Sequence, residues 1–245
     1  MKTLATDIAG ALSAFTARDG KTMLPIPAGE FLMGSDEFGP EQPPHLVYLP
    51  TYYIDMFPVT NAEYKVYMLA TRAMPPRHWG GFEVPAGLEN HPVHRISWYE
   101  AVDYLAWAGK RLPTEAEWEK AARGTDGRRW PWGNTFDEAN ALVWDRGDFL
   151  MTVPVDAHPG NVSPYGVREM AGHLEEWTAD WYEAYPGATY QSGAYGRKFR
   201  ALRGGSSFFT QNHARCAYRC FTRPEDAGLD NLVGCGFRGV REQPE

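Results

Sequence analysis

The chain predicts a single loop-rich domain of short helices and short strands, joined by irregular backbone that aromatic side chains pin down. Three observations carry this. Glycine (25) and proline (19) are numerous among the 245 residues while regular periodicity is scarce, and these two residues are the strongest local interrupters of regular structure. Apolar residues make up 43% of the chain and aromatics 14%, ample for a substantial core, so no segment reads as disordered. Between His91 and Gly133, two short helices and two tryptophan-rich turns follow one another closely. Helices that short are marginal alone and must dock on something larger. No internal repeat and no linker is visible, so the expectation is one domain over residues 23–245, preceded by a helical extension over residues 1–22.

In the extension, Leu4, Ile8, Leu12 and Phe15 fall at helical spacing. Residues 24–34 alternate apolar side chains with turn formers and read as a strand or hairpin opening. A β run follows over 45–54, and a helix starts at Thr60, where Thr60 and Glu63 form a capping box. Tyr64, Tyr67 and Met68 are its apolar stripe. Ser97 with Glu100 and Thr114 with Glu117 repeat the capping box, and Gly109 and Gly124 stand where each helix must stop, because glycine turns left-handed at least cost. Residues 137–165 read as loop with one short strand at 152–155. Residues 166–182 carry Gly172, Glu176, Trp177, Asp180 and Trp181. The tail predicts strands around 200–203, 214–221 and 236–241.

A formal net charge of −7 argues against nucleic acid, which needs a concentrated basic surface; Arg128-Arg129 is a solvated loop doublet. No stretch approaches the ~18 apolar residues of a membrane span. Asp7 stands where a signal peptide needs its apolar run, and three cysteines, Cys216, Cys220 and Cys235, leave at least one unpaired. Both point to a reducing compartment, the cytoplasm.

The stretches GEFLMGS, VTNAEY, SWYEAVDYLAWAGKRLPTEAEWEKAARG, WPWG, EMAGHLEEWTADWY, ALRGGSS, RCAYR and GCGFR occur in the order found in the formylglycine-generating (sulfatase-modifying factor) family, which the chain resembles from about Met23 to Arg241. The resemblance implies an irregular α+β fold related to C-type lectins, with little regular secondary structure. It does not imply one activity. Some members oxidise a peptide cysteine with copper and dioxygen, and others make sulfoxides in ergothioneine-type pathways with the help of a helical domain bearing iron-binding histidines. A further branch acts in siderophore maturation, and retroelement-diversified members bind ligands without chemistry.

In the copper enzymes two cysteines five residues apart bind Cu(I), a soft ion suited to thiolates. Counted back from Tyr218-Arg219-Cys220, those positions fall on Thr210 and Arg215, so ordinary formylglycine generation is not expected. Cys216 and Cys220 remain candidate catalytic residues: four apart on a strand they share a face, and with His213 they would suit copper or iron. The alternative is that both are buried small hydrophobes. An iron site needs two or three histidines or a His/carboxylate set, but His45, His78, His91, His94, His158, His173 and His213 are scattered and the helical domain is absent. Calcium takes six to eight oxygens. The resemblance implies a structural calcium held by Glu169, the carbonyls of Gly172 and Leu174, and Glu176, with a second near Asn140, Ala141 and Asp148. The alternative is an exposed acidic turn.

Glu175 replaces an aromatic residue near the family's active groove, and Ser207 replaces the tryptophan after the Arg-Gly-Gly-Ser run. Glu175 and, within residues 207–233, Ser207, Phe208, Phe209 and Tyr218 are the candidate ligand surface. Gly234, Gly236 and Gly239 spell GxGxxG, but too few residues follow for the helix and acidic residue of a dinucleotide site. Three functions remain open: a metal- and oxygen-dependent oxidoreductase acting on a thiol, peptide or small metabolite; a non-catalytic lectin-like binding protein; and a silent partner of an active paralogue.

Overall fold

Prolines and turns cut the β-forming stretches into short strands, and the computed structural model, which describes residues 12–144, 151–226 and 234–244, has three small sheets. Its strands are β1 (Phe15–Thr16), β2 (Thr22–Ile26), β3 (Gly29–Met33), β4 (His45–Leu49), β5 (Tyr52–Asp55), β6 (Glu175–Trp181), β7 (Arg200–Arg203), β8 (Cys220–Thr222), β9 (Cys235–Gly236) and β10 (Val240–Arg241). One antiparallel sheet runs β1-β2-β5-β10, a hairpin pairs β3 with β4, and a third sheet runs β8-β7-β6-β9, with β6 and β9 parallel.

The expected run over 45–54 breaks at Pro50, which cannot donate to a ladder, and its halves β4 and β5 enter different sheets. The N-terminal helix is corrected where it can be seen. Phe15 pairs with Met23 in β1, and its ring meets Tyr53 edge-on at 5.1 Å, a partner that a free helix would lack. Leu4 and Ile8 lie outside the described residues. Residues 152–155 form no strand; they are held singly, by Thr152 on His91, Val153 on His173 and Val155 on Asn90. The run expected at 214–221 is a 3-10 turn, Gln211–Ala214, followed by a strand only at Cys220–Thr222.

The helices are α1 (Asn61–Thr71), α2 (Trp98–Trp107) and α3 (Glu115–Arg123), and all three capping boxes form, with Glu63, Glu100 and Glu117 reaching back to their caps. Gly109 and Gly124 follow α2 and α3 at φ +72° and +70°. The stripe Tyr64, Tyr67 and Met68 is buried against Tyr104, Trp177, Leu202 and Phe237. A second core gathers Ile26, Ile54, Trp118, Val167 and Cys216. Strand alternation lets β6 serve both cores: Trp177 enters the first, while Glu176 accepts a hydrogen bond from Trp118 Nε1 of the second.

Helix α3 is covered on every side, with Ala116 alone not fully buried. Its acids survive burial because each meets a guanidinium, as buried charges must. Glu119 binds Arg123 and Arg203, and Glu115 binds Arg219 and Arg203.

Candidate functional site

The segment after β7 builds the site. Gly205 lies at φ +70°, and a Cβ there would sit 2.3 Å from the His213 carbonyl oxygen; only glycine lets the chain fold back so tightly. Past the 3-10 turn, Arg215 crosses to a loop far away in sequence. Its Nη1 and Nη2 donate to Glu41 at 2.8 and 2.7 Å, and its Nε donates to the Asn212 carbonyl at 2.9 Å. Arg219 grips Glu115 through Nε and Nη2, both at 2.7 Å, and donates to the Pro40 and Glu183 carbonyls. Burial alone would raise the Glu115 carboxyl, but Arg219 and Arg203 outweigh it and hold the group below its ordinary range.

Between these anchors lies a cavity of about 220 Å³, lined by Phe38, Pro40 and Glu41 from one segment and by Asn212, His213, Arg215, Tyr218 and Arg219 from the other. His213 stacks on Phe209 at 4.9 Å, meets Tyr218 edge-on at 5.0 Å, and bonds Thr210 through Nδ1. The Arg215 guanidinium stands 4.6 Å from the Phe38 ring centroid.

The predicted catalytic trio does not converge. Cys216 sits in a turn within the second core, its thiol pushed up to about 12 by burial. Cys220 lies on β8 against the first core. Residues 216–219 are not strand, so the spacing that would align the two thiols never applies. Cys220 instead lies beside Tyr218 and Glu175; burial, then the Glu175 charge, push its thiol up. Cys235 is buried core.

Of the predicted ligand surface, Tyr218 lines the cavity and Phe209 backs its His213 wall. Ser207 is buried with its hydroxyl on the Met151 carbonyl, Phe208 leans on Trp144, and Glu175 is buried behind Tyr218 through Cys220. Phe38, Pro40 and Glu41 were missed. No local pattern marks them, because their partners are contributed by the other end of the chain.

The copper positions hold Thr210 and Arg215, a hydroxyl engaged with His213 and a guanidinium locked to Glu41. Neither is a donor for Cu(I), a soft ion. Among the described residues no group of three or more His, Cys, Asp or Glu side chains is arranged to hold a metal. At the expected calcium sites the carboxylates meet protein donors. Glu169 takes His158 Nδ1 at 3.2 Å and His173 Nδ1 at 3.1 Å, and Glu176 is held bidentately by Arg238, so internal donors occupy both carboxylates. Gly172 O accepts from the Leu174 amide, and at the second expected site Asn140 bonds Asp137; Asp148 lies outside the described residues. The His158–Glu169–His173 cluster was not foreseen; only the i,i+4 spacing of Glu169 and His173 hinted at it.

The profile of the sulfatase-modifying factor enzyme 1-like domain matches residues 9–243. Serine/threonine-protein kinase pkn1 of Chlamydia caviae is 34% identical over 82% of this chain, which spans only 35% of that kinase's length. The formylglycine-generating enzyme of Bos taurus is 31% identical over 88% of this chain and 73% of the enzyme. Hercynine oxygenase of Mycolicibacterium smegmatis is 31% identical over 83% of this chain and 58% of the oxygenase. Among solved structures, PvdO from Pseudomonas aeruginosa superposes with a TM-score of 0.73 at 25% identity, over 95% of this chain and 98% of PvdO. The architecture is thus the mixed, C-type-lectin-like one of these neighbours.

Proposed function

The chain belongs to the sulfatase-modifying factor enzyme 1-like family, and from that premise we propose that it is an oxidoreductase that takes a peptide side chain or small molecule into the cavity between residues 38–41 and 212–219, without cysteine-held copper. The observation carrying this is the Arg215–Glu41 pair, which stands where a copper thiolate is expected and forms one wall of a cavity of about 220 Å³. A buried ion pair is strongly destabilised when one partner is lost, so this wall is a fixed element of the site. Support for oxidation comes from relatives named as a formylglycine-generating enzyme and an oxygenase. Support for a small or narrow substrate comes from the volume. Three unpaired cysteines favour a reducing compartment, the cytoplasm.

The test is metal content and oxygen uptake on protein purified without chelator. The expected result is no stoichiometric copper, with oxygen consumed when thiols, peptides or small metabolites are supplied and the consumption abolished by a substitution that fills the cavity, such as Asn212→Trp. Stoichiometric copper would overturn the copper-free reading. Tight binding in the cavity with no oxygen uptake from any substrate would transfer the function to ligand binding alone.

A further inference from the structure

The walls of this cavity narrow the class of ligand, an inference that rests on the reading above. Phe38, Pro40, His213 and Tyr218 supply apolar and π surface, and Phe209 and Tyr218 fix the His213 ring between them. The two guanidiniums in the wall are each answered by a bidentate carboxylate, Arg215 by Glu41 and Arg219 by Glu115. The wall therefore offers rings without net charge. An anion meets cations that are already compensated, and an amine meets carboxylates that are already engaged. Guanidinium N–H groups remain for recognition, since Arg215 Nη1, Arg215 Nη2 and Arg219 Nη1 each make one hydrogen bond. Arg215 Nη2 carries two N–H groups and spends one on Glu41, and among the described residues no acceptor takes the other. Apolar cavities of roughly 150 Å³ accept benzene, so about 220 Å³ accommodates one ring or two fused rings.

We infer that the cavity binds a neutral aromatic ring bearing an oxygen acceptor, the ring packing among Phe38, His213 and Tyr218 and the oxygen receiving the Nη2–H of Arg215. Aromatic pairs prefer edge-on or offset geometry and add affinity beyond the area they bury. An aliphatic ligand of the same volume gains the burial without that addition. Phe38 is 46% exposed, so its ring is available to a ligand and can be altered without opening the core.

The test is isothermal titration of the full chain with phenol, cyclohexanol and benzoate, repeated on Phe38→Leu, with melting temperature as the control for folding. Phenol is expected to bind about fivefold tighter than cyclohexanol, and benzoate no tighter than phenol. Phe38→Leu is expected to weaken phenol about fivefold, leaving cyclohexanol and the melting temperature unchanged; these ratios follow from the strength of one aromatic pair. Equal affinity for phenol and cyclohexanol, a preference for benzoate, no effect of Phe38→Leu, or no binding at all would overturn the inference. The two readings fail separately. Phenol binding without oxygen uptake from any substrate leaves the ligand class standing and removes the oxidation. Oxidation of an aliphatic thiol with no ring bound does the reverse.

Discussion

Cys216 and Cys220 are close in sequence, yet their thiols enter different cores. The Cys216 thiol, pushed up to about 12 by burial, is essentially never the reactive thiolate at neutral pH. Cys235 is raised by burial as well, and Cys220 by burial and Glu175. At pH 8, Ellman's reagent is therefore expected to label the folded protein slowly and at one thiol at most, with all three labelled in guanidinium. The slow site is Cys220, the least buried, and Cys220→Ser removes it; rapid labelling of two thiols would mean the cores are not closed. Asp180 gives a second prediction. Its carboxyl accepts from the Glu115 amide at 2.6 Å, and burial, then the Glu115 charge, raise it from 3.8 to about 6. Between those values the native state holds more of this proton than the unfolded chain. The resulting stability is fully present below the unfolded value and is lost as pH rises through about 6. Asp180→Asn keeps the oxygen that accepts from Glu115 and removes the charge. Its melting temperature is expected to gain on the wild type steadily from pH 4 to 7, whereas a constant offset would show that Asp180 is not the titrating group.

Helices were the most legible elements, because a capping box is closed within four residues and needs nothing from the rest of the chain. Thr114 both accepts from the Glu117 amide at 3.1 Å and donates its own amide to the Glu117 carboxylate at 2.8 Å. Thr114→Ala deletes the first bond and spares the second. The expected cost is about 1 kcal/mol, or a melting temperature lower by about 2–4 °C for a chain of this size, measured by calorimetry. Thr60→Ala and Ser97→Ala are expected to match it, their caps having the same geometry. Strand edges were less legible, since a strand ends where its partner ends. The run at 214–221 looked extended, but only Cys220–Thr222 meets an open edge, that of β7. The site was the least legible part. Its C-terminal wall lies in a stretch singled out from sequence, but Glu41 and Arg215 are 174 residues apart, and nothing local to either announces the other.

Taken whole, the molecule converges on Arg238. Its side chain has no exposed surface, and it binds Glu176 through Nε and Nη2, both at 2.7 Å. It also donates to the carbonyls of Asp55, Met56, Arg168 and Glu169 at 3.0–3.3 Å. One residue thus joins the β5 end of the first sheet, β6 of the third, and the turn bearing the Glu169–histidine cluster. That turn holds Glu169 at φ +55° and His173 at φ +71°, backbone positions that cost non-glycine residues free energy and persist only where surrounding contacts enforce them. Arg238→Met leaves Glu176 buried without a counter-charge, a loss of about 3–5 kcal/mol. Glu176→Gln breaks the same pair from the other side, stranding the Arg238 cation and turning an amide NH2 toward N–H donors, so urea unfolding should shift down in both variants. The same pairing decides the calcium question. If Arg238 and the two imidazoles satisfy Glu176 and Glu169, neither millimolar calcium nor a chelator moves the wild-type melting temperature, because no carboxylate is left to exchange partners. In Arg238→Met the Glu176 carboxylate is released, and calcium should then stabilise the variant measurably, since an ion that binds only the folded state raises its stability by mass action. A wild-type melting temperature that falls on chelation would mean that calcium, and not Arg238, completes this corner of the fold.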